Sequence, residues 1–147
     1  MEDFVGLLRQ HRITLVIDVR SQPYSRWVPQ FNRETLERDL KEAGIFYEFM
    51  GEALGGRPDD PAGHTPESPD YRRLEQTDAY RRGIDRLIDV ADDQRVVIMC
   101  GEGDYLHCHR HLLISQTLLK RDIEVLHIKP DGQVATGELI PEQLSLF

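Results

Sequence analysis

No apolar run in this chain approaches the roughly 20 residues a membrane-spanning helix needs, so a bilayer-spanning segment is excluded. Cysteine is scarce, two residues in 147. That is too few for a disulfide scaffold, and thiols beside catalytic-looking neighbours suit a reducing cytosol. Positive charge is in deficit: 18 Lys and Arg stand against 26 Asp and Glu, a formal charge of −8. Such a balance argues against a protein whose main business is coating nucleic acid. The opening Met1-Glu2-Asp3-Phe4 lacks the basic and apolar regions of a signal peptide, so a cytoplasmic location is expected. Repeats and low-complexity tracts are absent.

What remains is ordinary soluble composition, 39% hydrophobic and 30% charged. The length fits one domain with a real core and is short for two. We expect an α/β domain over residues 1–140 and an exposed peptide tail over 141–147. Arg20, Arg26, Arg33, Arg57 and Arg110 recur beside motif-like segments, while many acids fall in stretches expected to be solvated. A small anion-binding pocket on an acidic protein fits this better than a broad basic face.

Phe4, Val5, Leu7 and Leu8 point to a first helix, followed by a buried β-branched strand at Thr14–Val19. Pro23 and Pro29 break up residues 21–32. Asn32 is placed to cap a helix carrying Leu36, Leu40 and Ala43, with Gly44 as its stop. A strand follows at Ile45–Phe49, then a glycine- and proline-rich excursion from Gly51 to Pro69. Thr77 is the expected cap of a helix through Ile84, Leu87, Ile88 and Ala91. Next come a strand ending at Cys100, a helix from about Cys108 and a strand at Ile123–Ile128. Pro130-Asp131-Gly132 signals a turn, with a short strand expected near Val134. Alternating strands and helices imply a mostly parallel sheet with helices on both faces.

The densest chemistry is Cys100-Gly101-Glu102-Gly103-Asp104-Tyr105-Leu106-His107-Cys108-His109-Arg110. It lies between the strand Val96–Met99 and a helical spacing of leucines, where open α/β sheets place their ligands. Cys100 ends its strand, and Cys108 falls at a helix start, where exposed N–H groups favour a thiolate. The alternative for Cys100 is a small core residue. Glu102 is a candidate base, and Asp104 reads better as a loop acid bonding its own backbone. His107, His109 and His111 alternate, so a helix cannot bring all three to one point, and the cysteine spacing matches no standard zinc pair. No metal or cofactor is expected. Asp18 and Arg20, two apart, share a face at the end of the first strand. They form either part of a site or a structural ion pair. Leu54-Gly55-Gly56-Arg57 offers backbone amides able to close over an anion, although a tight turn explains two glycines equally well.

Together these segments resemble the bacterial family known as domain of unknown function 488. The resemblance is carried by Asp18-Val19-Arg20, Pro23, Ser25-Arg26, Phe31-Asn32, Gly44-Ile45-x-Tyr47, Leu54-Gly55-Gly56-Arg57, Cys100-x-Glu102 and Cys108-His109-Arg110. It implies an α/β fold with a parallel sheet and no established reaction. A further N-terminal strand usual in the family is missing here. A looser likeness joins Asp-x-Arg after an early strand, and Cys at a later strand end, to rhodanese-type sulfurtransferases and cysteine-dependent phosphatases. Those place an arginine about five residues beyond the cysteine, whereas Arg110 is ten beyond Cys100, so this likeness is one of fold.

The closing Gln143-Leu144-Ser145-Leu146-Phe147 looks like the pentapeptide by which bacterial polymerases and repair proteins bind the replication sliding clamp. Docking of these residues on the domain's own surface is the alternative. The expectation is therefore a DNA-maintenance enzyme acting on a nucleic acid or nucleotide. Its catalytic residues would be Cys100, Glu102, Cys108 and His109. Its ligand would be held by Asp18, Arg20, Arg26, Gly55, Gly56, Arg57 and Arg110, and its partner, the clamp, by Gln143, Leu144, Leu146 and Phe147. A rhodanese-like sulfurtransferase or thiol-dependent phosphatase, and a non-catalytic nucleotide- or DNA-end-binding module, are the alternatives.

Overall fold

The computed structural model describes residues 2–55, 71–100, 110–129 and 131–138. The chain falls into two compact units, Met1–Cys100 and Gly101–Phe147, taken here in turn.

The first unit is built on a three-stranded parallel sheet. Its strands are β1 (Leu15–Asp18), β2 (Phe46–Phe49) and β3 (Val96–Met99), in the order β2-β1-β3. The central strand is buried at all four positions, as its unbroken apolar run requires. Register places Asp18 beside Phe49 on one side and Met99 on the other, so the three strands end level. The chain steps one way from β1 to β2 and back across β1 to β3. Right-handed crossovers in opposite directions put the connecting helices on opposite faces.

Packing agrees. Helix α1 (Glu2–Gln10) and helix α2 (Arg33–Glu42) cover the face carrying Val16, Tyr47, Val97 and Met99, through Leu8, Leu36 and Leu40. Gly44, at φ +79°, takes the left-handed conformation that ends α2, and Ile45 returns into the core. Asn32 occupies the N-cap position of α2 as expected. Its side chain instead accepts from the Ser25 N–H at 2.6 Å, so it fastens the preceding loop rather than the helix. Helix α3 (Gly51–Leu54) opens what the sequence reads as an irregular excursion. Helix α4 (Tyr71–Glu75), which the sequence did not announce, precedes α5 (Asp78–Asp93). Thr77 caps α5 by accepting from the Tyr80 N–H at 3.2 Å. Glu48, on the pleat opposite Tyr47, is bonded by Arg86 of α5 at 2.9 and 3.2 Å, which fixes α5 on the second face.

Three glycines let α3 wedge in. A Cβ at Gly51 would collide with the Arg20 carbonyl and come within 2.5 Å of the Phe49 ring. One at Gly55 would collide with the Ser21 hydroxyl, and one at Gly83 of α5 would lie 2.9 Å from Leu54. Missing side chains thus bring α3 against the chain leaving β1 on one flank and α5 on the other.

In the second unit, Arg110–Ser115 winds as a π-helical turn into α6 (Gln116–Lys120), with Leu113, Ile114 and Leu118 buried. Strands β4 (Leu126–Ile128) and β5 (Val134–Thr136) form a separate antiparallel hairpin. The expected last strand is therefore shorter than 123–128 and pairs with its neighbour in sequence. Its turn is closed by Asp131 Oδ1 accepting from the Gln133 N–H at 2.9 Å, with Gly132 at φ +88°. Among the described residues no helix is long and apolar enough to cross a membrane.

Candidate functional site

The level ends of β2, β1 and β3 form the carboxyl edge of the sheet. The reversal of strand order falls at β1, the switch point where such sheets leave a crevice. From β1 this edge receives Asp18, Val19 and Arg20. Asp18 is wholly buried, a costly place for a carboxylate unless its oxygens are satisfied. They are. Oδ1 accepts from the Arg20 backbone N–H at 3.1 Å and from Arg20 Nε at 2.9 Å. Oδ2 accepts from Arg20 Nη2 at 2.8 Å and from the Tyr47 hydroxyl at 2.6 Å. The strand-end carbonyl of Asp18 also accepts from the Met50 N–H at 2.8 Å, tying the exits of β1 and β2.

Charge follows geometry. Burial works to lower the Arg20 pKa, but the hydrogen bonds and charge of Asp18 outweigh it and hold the guanidinium protonated more firmly than usual. Burial pushes the Tyr47 phenol well above its ordinary value, and its bond to Asp18 pushes the same way. Tyr47 is thus a fixed donor and no base at neutral pH. Nε and Nη2 of Arg20 are committed to Asp18, and the guanidinium also lies within reach of the Tyr47 hydroxyl.

A second guanidinium completes the edge. Arg33, the first residue of α2, lies 4.2 Å over the Phe49 ring. It forms no salt bridge among the described residues, but its charge adds to the backbone and Tyr24 hydrogen bonds that hold the neighbouring Glu34 carboxyl below its ordinary pKa. Against the upward push of burial and of Asp18 on Tyr47, the charges of Arg20 and Arg33 both act downward. The sequence reading assigned Tyr47 no role and counted Arg33 among the arginines of an anion-binding pocket without placing it at this edge. Tyr47 was detectable as a phenol in an apolar strand, which needs a partner when buried.

Of the residues singled out from sequence, Asp18 and Arg20 meet here. Gly55 reaches the same neighbourhood against Ser21, but its N–H is spent on the Gly51 carbonyl at 2.9 Å and is no anion donor. Arg26 sits farther along the loop, exposed, its Cζ 5.4 Å from the Trp27 ring centre. Cys100 leaves β3 half-buried, one residue beyond Met99, whose carbonyl accepts from the Val19 N–H at 3.0 Å. In register it aligns with Val19, on the pleat opposite Asp18. Its sulfur is in a disulfide, where the cysteine content had pointed to free thiols. It can act as a thiolate only after reduction. Arg110 begins the π-helical turn. Gly56, Arg57, Glu102, Cys108, His109, Gln143, Leu144, Leu146 and Phe147 lie outside the described residues.

The chain matches a known family model, Domain of unknown function DUF488, over residues 1–117. The chain belongs to this family. Comparison with curated proteins and with solved structures returns no match. The DUF488 match takes in Asp18, Arg20, Arg33, Tyr47 and Cys100 and ends inside α6. The β4–β5 hairpin and the terminal pentapeptide fall beyond it.

Proposed function

We propose that this DUF488 domain acts in DNA maintenance on a phosphate-bearing ligand, a nucleotide or nucleic-acid end, bound at the carboxyl edge of the sheet. The observation that carries this reading is the presence at the β1 switch point of an Asp18-anchored Arg20 together with Arg33, whose guanidinium lies over the Phe49 ring and forms no salt bridge among the described residues. Rigid guanidinium groups suit phosphate oxygens better than any other side chain. In this scheme Arg20 and Arg33 face the phosphate. Tyr47 positions Asp18, which positions Arg20. Once the disulfide is reduced, Cys100 or Cys108 is the candidate nucleophile, with Glu102 and His109 as candidates for the proton transfers. The Gln143–Phe147 peptide delivers the domain to DNA by binding the sliding clamp, which relieves a domain of net charge −8 from needing high affinity of its own.

Calorimetric titration of the source organism's clamp into the full chain, and into a variant lacking Gln143–Phe147, tests the delivery. Binding abolished by the deletion supports it. No binding by the intact chain refutes it. The second reading, a sulfurtransferase, draws on Cys100 at a strand end level with Asp18-x-Arg20. Persulfide formation on the reduced chain with thiosulfate as sulfane donor would favour that reading over the first.

A further inference from the structure

The loop leaving β1 carries the most exposed large apolar side chain described. Trp27, the single tryptophan of the chain, is 81% exposed, with Tyr24 at 57% and Val28 at 44% beside it. A tryptophan ring removes about 150–250 Å² from water when buried, so leaving it out forgoes a large stabilisation. Exposure of this kind marks a contact surface.

The loop is built to present the ring. Ser25 Oγ accepts from the N–H groups of Trp27 at 3.1 Å and Val28 at 3.3 Å, while the Ser25 N–H is held by Asn32. The Arg33 N–H closes the base of the loop on the Pro23 carbonyl at 3.0 Å. Phe31 packs edge-on against Phe4 at 5.5 Å, anchoring the far end to α1.

Charge points to the occupant. From Arg20 to Arg33 the chain has three arginines and no acid, in a protein where acids outnumber bases by 26 to 18. The Glu34 carboxylate, just past the loop, accepts from the Tyr24 hydroxyl at 2.9 Å. Arg26 lies over one side of the indole. A protein interface needs about 800 Å² per partner around an apolar core, and three exposed side chains spaced by arginines do not supply one. A single aromatic platform flanked by a guanidinium group fits one flat base and its phosphates.

We propose that Trp27 stacks an unpaired base of a single-stranded nucleic acid, with Arg26 beside the indole meeting its backbone. The assignment rests on the nucleic-acid reading of the adjoining edge and narrows its substrate to single strands.

The test uses the full chain and a fluorescein-labelled oligothymidine of about 15 nucleotides, near the span of a single-strand binding fold. Fluorescence anisotropy should show binding that weakens about 5- to 150-fold in Trp27→Ala, the range one stacked base supplies. Trp27→Phe should recover most of it. Since Trp27 is the one indole, its emission should be quenched as the strand saturates. A matched duplex should bind more weakly and be insensitive to Trp27→Ala. Unchanged affinity in Trp27→Ala, or no quenching, overturns the stacking role while leaving a nucleic-acid site at the sheet edge intact. Equal sensitivity of duplex and single strand overturns the single-strand assignment. Absence of oligonucleotide binding by the wild type overturns the inference, and the clamp titration then judges delivery to DNA separately. A change in sedimentation on Trp27→Ala, without change in oligonucleotide affinity, overturns it in favour of docking between copies of this chain.

Discussion

Replacing Arg20 by methionine probes the buried carboxylate at the heart of the site. Asp18 receives four hydrogen bonds, two of them from the Arg20 side chain. Arg20→Met removes those two and the opposite charge, leaving a wholly buried carboxylate with the Tyr47 hydroxyl and one backbone N–H. Breaking a buried pair from one side costs about 3–5 kcal/mol, because the remaining charge stays out of water uncompensated. For a chain of this length that corresponds to a fall in Tm of about 6–20 °C. Removing both partners, as Asp18→Leu with Arg20→Met, eliminates the stranded charge and should recover most of the loss. Urea unfolding of the wild type, the two single variants and the double variant, followed by circular dichroism, measures the coupling. We expect a coupling of about 2–3 kcal/mol, at the upper end of the range for residues in direct contact. An Arg20→Met variant within about 1 kcal/mol of wild type would refute the reasoning, since surface pairs behave that way. A double variant as unstable as the single would refute it too.

Tyr47→Phe should cost about 1.5–3 kcal/mol, the worth of a hydrogen bond to a charged acceptor. Its pH dependence has a definite sign. The folded phenol holds its proton more tightly than the unfolded one. Its stabilisation is therefore complete below about pH 10 and lost above it, at no more than about 1.4 kcal/mol per pH unit. The gap between wild type and Tyr47→Phe should be flat from pH 6 to 9 and narrow above pH 10 in denaturant titrations. A gap that widens there would contradict the assignment. Gly51→Ala should lower stability by about 1–3 kcal/mol, because the added methyl meets the Arg20 carbonyl and the Phe49 ring. Thermal melts read that loss, and an unchanged Tm would mean that α3 has room to move.

Much of this frame can be read along the chain. The apolar runs at Leu15–Asp18, Phe46–Phe49 and Val96–Met99 announce their strands, and Thr77 and Gly44 announce where one helix begins and another ends. Those signals are local, set by side-chain type and backbone freedom. The site is less legible because its contacts are not local. Tyr47 reaches Asp18 only because β2 lies beside β1 in a register that no single strand encodes. Arg33 reads as a helix residue until Phe49 is known to lie beneath it. Helix α3 is invisible for the opposite reason. Glycine in sequence signals a break, whereas Gly51 permits one turn of helix by letting neighbouring backbone approach. The π-helical turn at Arg110–Ser115 leaves no trace either, since Leu112, Leu113 and Ile114 fit a helix of either pitch.

The tight seating of α3 has a mechanical consequence. Its one flank bears on Gly83 and its other on the backbone of Arg20 and Ser21, so the small helix has no slack in either direction. A methyl group added at Gly83 would first meet Leu54 and Ala53, and the displacement would press α3 toward the backbone of Arg20 and Ser21. Position 83 is therefore a lever on the carboxyl edge of the sheet, although it is distant in sequence and carries no chemistry. A survey confined to polar side chains would pass it by.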